Sequence, residues 1–257
     1  MYDIPEVRGA LDRLWRALRD AMRSRGLADV PDELSHIDSG WDAHWGGEAV
    51  YFTHVCGRDF VRRFPGRYRV IATPRYAAEG CEGDRYRSFV VIAEGAAAAR
   101  LSDLRGARLV VNGAHSHSGA WALAPLVAPH GALGDFFGSV TESGSHEASL
   151  SVVRSGGADV AAIDCITYGL LARHRPDALG GVRVVTTTPL APAPPYVAPA
   201  SFGPAVFATM RDALAEVIAD PALEDVREAL LLRGVSVRDD EAVYQAHFGR
   251  AGPGAGP

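Results

Sequence analysis

The stretch NGAHSHSGAW, residues 112–121, gathers two histidines and two serines between a glycine turn and an apolar run. Imidazole nitrogens bind metal ions, exchange protons or hydrogen-bond to ligands, and serine hydroxyls donate to anions. These residue types therefore allow a metal site, a catalytic centre, an anion-binding loop or an ordinary polar loop. The elements that position the side chains decide between the four.

The sequence around this stretch predicts a strand at Arg108–Val111 and a helix from about Ser118 to Val127. A serine just before a helix caps it, and the exposed N–H groups and positive dipole end of the helix attract an anion. Ser116 and Ser118, on either side of His117, would add hydroxyl donors. A simple capping role for either serine is the plainer alternative, but two serines and a glycine in one turn favour anion binding.

Two further loops carry polar residues at predicted strand ends. His146 lies in the first turn of a predicted helix, with Ser145 as its cap, after the predicted strand in FFGSVTESG. Asp164 follows the buried run Val160–Ile163 and precedes a helix, so it is either an N-cap or an acceptor for a ligand O–H or N–H. Because ligands bind outside the carboxyl ends of parallel strands, we expect the three loops to meet at one crevice.

A metal site is the first alternative to anion binding. His115, His117, His146 and Asp164 offer three imidazoles and a carboxylate, which could bind a metal ion. The HxH pair lies in a loop, however, and neither flank resembles HExxH, so we predict no metal and no cofactor. The chain also lacks GxSxG, GxxxxGK[ST] and GxGxxG, and so no motif supports nucleophilic catalysis or nucleotide binding.

The order of the predicted elements indicates an α/β fold. Strands alternating with helices across residues 86–190 predict βαβ units and a mostly parallel sheet. The first ~85 residues contain too few strands for a sheet of their own, and the proline-rich segment near Leu190–Pro199 would let the chain return and complete it. We predict two lobes joined by extended crossings near Ser88–Ala93 and Leu190–Tyr196. The predicted bounds are 1–90 plus 193–250 for lobe 1, 91–192 for lobe 2 and 251–257 for a disordered tail.

Local patterns add three expectations. Apolar residues at helical spacing after Pro5 predict a helix that ends at Gly26. A strand at Arg69–Ala72 is expected to end at Pro74, and the chain from Pro204 to Gly234 is expected to form two helices.

Composition bounds the class of protein and its partners. The chain has 257 residues, of which 47% are hydrophobic and 22% charged, as in soluble globular proteins. Its formal net charge is −5 and all 26 basic residues are arginine, so no positive field indicates nucleic acid or an anionic membrane. Without a visible signal peptide or a run of about 18 apolar residues, we expect no membrane insertion. We expect a cytoplasmic protein as encoded, or an extracytoplasmic one if the true start lies upstream.

The cysteines leave one question open. Cys56, Cys81 and Cys165 include no CxxC pair, which argues against a zinc finger. Cys56 and Cys81 lie in neighbouring loop-like segments, so either a disulfide between them, suited to an oxidising compartment, or two reduced thiols fits the sequence.

Several segments, in order, resemble a known family: MYDIPEV, HVCG, GCEGDRYRSFVVI, LSDLRGARLVVNG, SHSG, GSHEASL and GGADVAAIDCITYGLL. Over roughly residues 1–200 the chain resembles the phosphate, phosphite and phosphonate-binding proteins of ABC transporters, a branch of the type 2 periplasmic binding proteins. The resemblance implies an α/β fold of two lobes with a ligand cleft between them, which closes over an oxyanion. Family members are normally exported and begin with a short strand before the MYD segment, and this chain begins at that methionine.

The resemblance also implies site residues. Ser116, Ser118 and the backbone N–H of His117 would hold the oxyanion, His146 would contact it from the next loop, and Asp164 would line the same cleft. The opposing wall would be supplied by the first-lobe residues Tyr51, His54 and Tyr76. In relatives the middle position of the Ser-x-Ser turn is often Thr or Asn, and the position of His54 is often Gln, so these two histidines bear on ligand choice.

We therefore expect a monomeric solute-binding protein that captures a small oxyanion such as phosphate, phosphite or a phosphonate. ABC transporter membrane subunits would be its partners, and it would perform no bond chemistry. Two alternatives stay open. One is an enzyme on the same scaffold that acts on a small heterocycle through Cys56 or His146, and the other is a cytoplasmic ligand-sensing module.

Overall fold

The computed structural model describes residues 1–37, 40–237 and 241–249. The chain forms two compact units: Met1–Ala77 with Pro192–His247, and Ala78–Ala191 with the residues from Phe248 on. The chain thus passes from one unit to the other at Ala77–Ala78 and at Ala191–Pro192. We expected the first passage near Ser88–Ala93, but it lies earlier in the chain. The predicted tail, 251–257, lies outside the described residues.

Eleven strands occur in the described part of the chain. They are β1 (Thr53–His54), β2 (Tyr68–Tyr76), β3 (Arg85–Tyr86), β4 (Ser88–Ala93), β5 (Arg108–Val111), β6 (Ser139–Glu142), β7 (Val160–Asp164), β8 (Val182–Thr187), β9 (Ala191–Pro192), β10 (Tyr196–Pro199) and β11 (Leu232–Val237).

Ten α-helices accompany them in the same described residues, with short 3-10 helices at several of their ends. They are α1 (Arg8–Ser24), α2 (Trp41–Gly46), α3 (Gly57–Arg62), α4 (Ala124–Val127), α5 (Leu133–Phe136), α6 (His146–Arg154), α7 (Cys165–His174), α8 (Pro204–Ala219), α9 (Glu224–Ala229) and α10 (Ala242–Phe248). None of the helices in this part of the chain is both long and apolar enough to span a membrane.

The first unit is built on a four-stranded antiparallel sheet in the order β1-β10-β2-β11. Its central strand, β2, continues through Pro74, so the prediction that this proline ends the strand is wrong. The reason is register: β10 pairs with β2 only from Tyr68 to Ala72, and β11 pairs from Ala72 to Tyr76. Proline has no N–H to donate, and at position 74 only one neighbouring strand is paired.

Helix α1 covers this unit as its apolar spacing predicts. Leu14, Trp15, Leu18 and Met22 are buried on one face, and the helix packs against α8 and α9. The two C-terminal helices expected from the sequence are α8 and α9, so both predictions are confirmed.

The second unit is built on a five-stranded sheet in the order β6-β5-β7-β4-β8. β5 is parallel to both β6 and β7, whereas β4 is antiparallel to β7 and β8. Four strands therefore run in one direction and β4 runs against them, so the predicted parallel sheet is confirmed except at Ser88–Ala93. That strand follows β3 within the same unit and enters the sheet without the long crossover, usually a helix, that joins parallel strands.

The core of the second unit lies under this sheet. Val90, Leu109, Val111, Leu123 and Val160 are among the buried apolar side chains that form one continuous cluster. The runs β5 and β7 are almost wholly buried, as expected for strands with other strands on both sides. A further, two-stranded sheet consists of β3 and β9.

Candidate functional site

The site is built at the carboxyl ends of three neighbouring parallel strands in the second unit. β6, β5 and β7 lie side by side. Loops begin at Ser143 after β6 and at Asn112 after β5, whereas α7 begins at Cys165 directly after β7. Because these strands are parallel, their carboxyl ends share one edge of the sheet, as the sequence predicts. The antiparallel strand β4 starts at the same edge, since Ser88 pairs with Asp164.

The loop after β5 forms a turn that leads into a shorter helix than predicted. The first regular turn is a 3-10 helix at Trp121–Leu123, and the α-helix α4 covers only Ala124–Val127. The helical turns therefore begin at Trp121 and not at about Ser118, whereas the predicted continuation to Val127 is confirmed. Pro125 and Pro129 supply no N–H groups, which interrupts the hydrogen bonds that a longer helix would need.

Ser116 organises this turn. Its carbonyl accepts from the backbone N–H groups of Ala120 (3.3 Å) and Trp121 (3.2 Å). Its Oγ accepts from the N–H of Gly119 at 3.2 Å, and the Trp121 indole N–H donates to the Ala114 carbonyl at 2.9 Å. The loop therefore has a defined shape even though the helix expected behind it is short.

Gly119 lies too close to Asn112 for any side chain. A Cβ at position 119 would come within 1.8 Å of Asn112 Oδ1 and 2.9 Å of its Cγ. The first and eighth residues of the stretch are thus in direct contact, and glycine is required by proximity, not by an unusual φ.

Two loops meet at a serine–histidine hydrogen bond. Ser118 Oγ and His146 Nε2 are 2.9 Å apart, and Ser116 Oγ lies 3.5 Å from Ser118 Oγ. His146 is held in place by α6, whose N-cap Ser145 accepts from the Ala148 N–H at 3.0 Å, as predicted. We call Ser116, Ser118 and His146 the polar cluster.

Electrostatics keep His146 neutral. Burial lowers its pKa to about 4, and the Ala162 carbonyl, which favours the protonated ring, offsets only part of this effect. At neutral pH the ring therefore carries one N–H and one acceptor nitrogen. The polar cluster offers hydrogen bonds to a ligand and no formal positive charge.

The other two histidines of the opening stretch lie in different surroundings. His115 is exposed. The His117 side chain is 9% exposed, with its ring 6.2 Å from Tyr86 and 4.9 Å from Phe248. Among the described residues no group of three or more His, Cys, Asp or Glu side chains is arranged to hold a metal, so the alternative four-ligand set is not assembled there.

Asp164 is a buried helix cap. Its side chain is inaccessible to solvent, and its Oδ1 accepts from the N–H groups of Ile166 (2.7 Å) and Thr167 (3.1 Å) at the start of α7. Of the two roles that the sequence allows, the structure shows the cap. Its role as a ligand residue stays a prediction.

The first unit holds the remaining predicted site residues. His54 and Tyr76 belong to an aromatic cluster with Tyr2 and Tyr196: ring centroids are 5.2 Å apart for Tyr2 and His54, 5.5 Å for Tyr2 and Tyr76, and 4.8 Å for His54 and Tyr196. Tyr51 lies apart from this aromatic cluster, with its ring 5.2 Å from that of Phe202.

His54 is positioned by the return of the chain. Its Nε2 donates to the Pro194 carbonyl at 2.9 Å, and burial lowers the pKa of His54 well below its ordinary value. The ring is therefore neutral, and its edges are fixed by one hydrogen bond and two aromatic neighbours.

Tyr2 and Tyr196 are members of the aromatic cluster that the sequence did not identify. Tyr2 has a φ of 58°, a left-handed conformation that is unusual for a bulky residue. Tyr196 pairs with Ala72 across β10 and β2. Sequence reasoning misses them because nothing local connects residues 2, 54, 76 and 196.

All three cysteines are free thiols. Cys56 is not bonded to Cys81, so of the two states left open by the sequence the structure shows reduced thiols. The neighbour of Cys81 is instead Cys165, at an Sγ–Sγ distance of 3.5 Å.

Comparison of the sequence with family models identifies a family that covers most of the chain. Residues 49–243 match the family described as ABC transporter, phosphonate, periplasmic substrate-binding protein. No curated protein matches the chain.

Solved structures share the fold. PhnD1 from Prochlorococcus marinus (MIT 9301), in complex with methylphosphonate, superposes with a TM-score of 0.73 at 16% identity, over 93% of this chain and 90% of that one. A binding protein component of an ABC phosphonate transporter from Pseudomonas aeruginosa gives a TM-score of 0.72 at 16% identity, over 90% and 78%. XAC2383 from Xanthomonas citri, bound to ATP, gives 0.69 at 17% identity, over 94% and 93%. The predicted α/β fold of the type 2 periplasmic binding proteins is confirmed.

Proposed function

Because the chain belongs to the family of periplasmic substrate-binding proteins of phosphonate ABC transporters, we propose that its polar cluster binds a small phosphorus oxyanion. The protein is a substrate-binding protein of a transport system. The ligand classes to consider are phosphate, phosphite and short phosphonates. The methylphosphonate bound to the Prochlorococcus marinus protein makes methylphosphonate the first of these to test.

The Ser118–His146 hydrogen bond of 2.9 Å carries the proposal. It joins polar side chains from two loops, after β5 and β6, at one edge of the sheet. Ser116 Oγ adds a third polar atom 3.5 Å from Ser118 Oγ. Hydroxyl and imidazole N–H groups are suitable donors to a phosphonate oxygen, and hydrogen bonds to an ionised acceptor are stronger than those between neutral groups.

The backbone supports the same assignment. Among the described residues, the N–H of Ser118 donates to no protein acceptor. Ser118 lies in the turn that the hydrogen bonds of Ser116 hold, just before the 3-10 helix that leads into α4. A backbone N–H together with two hydroxyls matches what an oxyanion requires.

The test is the double substitution Ser116→Ala with Ser118→Ala. Two lost hydrogen bonds to an ionised ligand correspond to a dissociation constant raised by about 100-fold or more. Titration calorimetry with phosphate, phosphite, methylphosphonate and aminoethylphosphonate measures it, and circular dichroism verifies the fold. Ser151→Ala, an exposed serine in α6, is the matched control and keeps wild-type affinity. Equal affinities of the double variant and the wild type for every oxyanion would refute the assignment.

The first-unit residues are proposed to recognise the organic substituent of the ligand. His54 and Tyr76 share an aromatic cluster, whose ring faces attract alkyl and ammonium groups. Tyr51 keeps its predicted role as a further ligand residue. If the proposal is right, Tyr76→Ala weakens binding of aminoethylphosphonate more than binding of phosphate, and an equal loss for both ligands would contradict it.

We also propose that the protein performs no bond chemistry. Ser118 and His146 have the spacing of a nucleophile and its base, but a histidine with a pKa of about 4 is a weak base at neutral pH. Cys56, the other group considered for catalysis, is buried. Phosphorus NMR of methylphosphonate after long incubation with the protein should show the unchanged compound.

The compartment and assembly follow from the family as proposals. The family is periplasmic and works with transporter membrane subunits. We propose that this chain acts outside the cytoplasm as a monomer. Fractionation of cells that express the gene with its upstream region tests the compartment, and sedimentation of the purified protein tests the monomer.

A further inference from the structure

Two cysteines of the second unit form a close pair that the transport function does not use. Cys81 Sγ and Cys165 Sγ lie 3.5 Å apart, although the residues are 84 positions apart in the chain. Both are free thiols. Two sulfurs at this distance are in contact, and an S–S bond of about 2.0 Å requires them to approach by only about 1.5 Å.

The backbone on both sides of the pair is fixed. Cys165 is the first residue of α7, and its N–H donates to the Arg87 carbonyl at 3.0 Å. Cys81 lies in a tight turn, where its N–H donates to the Ala78 carbonyl at 3.1 Å. The next residue, Glu82, exchanges backbone hydrogen bonds with Arg85 (2.9 and 3.1 Å) and forms an ion pair with Arg87.

Gly80 brings the two segments into contact. A Cβ on Gly80 would lie 3.0 Å from Cys165 Cβ, and Gly80 has a φ of +89°. The turn therefore approaches α7 as closely as the backbone allows, and glycine is needed both for the contact and for the left-handed conformation. The path of the chain thus brings residues 81 and 165 together.

From this geometry we propose that Cys81 and Cys165 form a structural disulfide when the protein meets a disulfide oxidant. The family is periplasmic, and disulfides form and persist in such oxidising compartments. The bond would fasten the turn at 78–85 to the first residue of α7, immediately after the buried cap Asp164.

The two thiols have different roles in the reaction. Cys81 is partly exposed, whereas Cys165 is fully buried. The hydrogen bond with Cys81, burial and the charge of Asp164 raise the pKa of Cys165, so Cys165 is held as a thiol. Because Cys81 is the more exposed of the two, it meets the oxidant first.

The disulfide forms by ordinary thiol–disulfide exchange. The Cys81 thiolate attacks a small-molecule disulfide, its S–S bond breaks, and one thiol is released with a mixed disulfide on Cys81. Cys165 then loses its proton and attacks the Cys81 sulfur, which releases the second small thiol. Two protein thiols are oxidised and one small disulfide is reduced to two thiols.

The experiment uses the full chain, reduced and then exposed to oxidised glutathione. The thiol count in denaturant is expected to fall from three to one, and peptide mapping should find a single cross-link that joins residues 81 and 165. The melting temperature should rise by about 5–10 °C, because the bond closes a long loop. Cys56→Ala is the matched control and still loses two thiols.

Cys81→Ala and Cys165→Ala should each abolish the intramolecular cross-link and the shift in melting temperature. Since Cys165 is fully buried, its variant can fail to fold, and Cys81→Ala at the partly exposed position then decides. A cross-link that involves Cys56, a disulfide-linked dimer, a lasting glutathione adduct on Cys81 or three unreacted thiols would overturn the proposal. So would a cross-linked protein whose melting temperature is unchanged or lower.

Discussion

Gly119 illustrates how a single residue fixes the conformation of the predicted anion-binding loop. Its Cα lies against the Asn112 side chain, and a Cβ would collide with Asn112 Oδ1 at 1.8 Å. Its N–H donates to Ser116 Oγ at 3.2 Å. A methyl group at this position must displace either Asn112 or the turn that carries Ser116 and Ser118.

We therefore expect Gly119→Ala to weaken oxyanion binding by about 10-fold or more and to destabilise the protein by about 1–3 kcal/mol through overpacking. Calorimetry and thermal unfolding measure the two effects. Gly9→Ala is the control, since Gly9 lies in α1 with nothing within 4 Å of an added Cβ. That change should leave binding intact and stabilise the protein by about 0.5–1 kcal/mol. Wild-type binding by Gly119→Ala would show that the loop is not held as described.

Because of His146, we expect the second unit to lose stability as the pH falls. Its folded-state pKa of about 4 lies below the ordinary value of 6.5, so the unfolded chain binds a proton more readily. Stability is therefore fully present above pH 6.5 and is lost as the pH falls toward 4. His146→Gln removes the titration, and between pH 7 and 4.5 it should lose about 1–2 kcal/mol less than the wild type, allowing for partial exposure. Parallel pH profiles would contradict this account.

At the scale of elements, His36 fastens the segment before α2 to α1 and to the start of the chain. Its Nδ1 lies 2.8 Å from Asp3 Oδ1 and its Nε2 lies 2.9 Å from Asp12 Oδ1. Asp3 Oδ2 also accepts from the Ile37 N–H at 3.1 Å. Burial alone would lower the pKa of His36, but the hydrogen bonds and charges of Asp3 and Asp12 outweigh it and raise the pKa.

This attachment has the opposite pH dependence to that of His146. Because the folded-state pKa is raised, its contribution is fully present below the ordinary value of 6.5 and is lost as the pH rises through the folded-state value. We expect His36→Ala to cost about 1–2 kcal/mol at pH 5.5 and clearly less at pH 8.5, measured by urea unfolding. Equal losses at both pH values would mean that the ring contributes packing alone.

Elements with a strong local signal could be predicted from the sequence. The apolar face of α1, the buried runs β5 and β7, and the Ser145 cap of α6 each depend on residues that are close in the chain. The short helices α2, α3 and α10 and the strand β11 were not predicted. β11 exists because β2 offers it an edge, and that information is more than 150 residues away in the chain.

The candidate site shows the same division. Loops that follow parallel strands converge by topology, so the meeting of Ser118 and His146 at one sheet edge could be predicted. The winding of residues 116–121 could not, because it depends on the contact of Gly119 with Asn112 and on the two prolines. The aromatic cluster in the first unit also depends on contacts distant in sequence, as Tyr2 and Tyr196 show.

At the scale of the whole molecule, the two units differ in how they are encoded. The five strands of the second unit's main sheet all lie within residues 78–191. In the first unit, β1 and β2 pair with β10 and β11, which follow residue 191. One unit is thus nearly continuous in sequence, and the other needs both ends of the chain.

We expect a fragment of residues 78–191 to fold cooperatively and a fragment of residues 1–77 to stay unfolded. The first contains complete partners for every strand of its main sheet, whereas the second leaves β2 without either neighbour. Circular dichroism during heating distinguishes the two. A sigmoidal transition for residues 1–77, or none for 78–191, would contradict the expected division.

The split first unit also has a consequence for the nascent chain. β2 ends at Tyr76 and its partner β10 begins at Tyr196, so about 120 residues must be added before the strand can pair. At translation rates of about 5–20 residues per second this takes about 6–24 s. Throughout that interval an apolar strand is open to pairing with another nascent chain. We therefore expect aggregation of nascent chains to limit the yield of the overproduced protein. Slower or cooler expression lengthens the interval in which β2 is unpaired, so it should raise the yield only when chaperones cover β2.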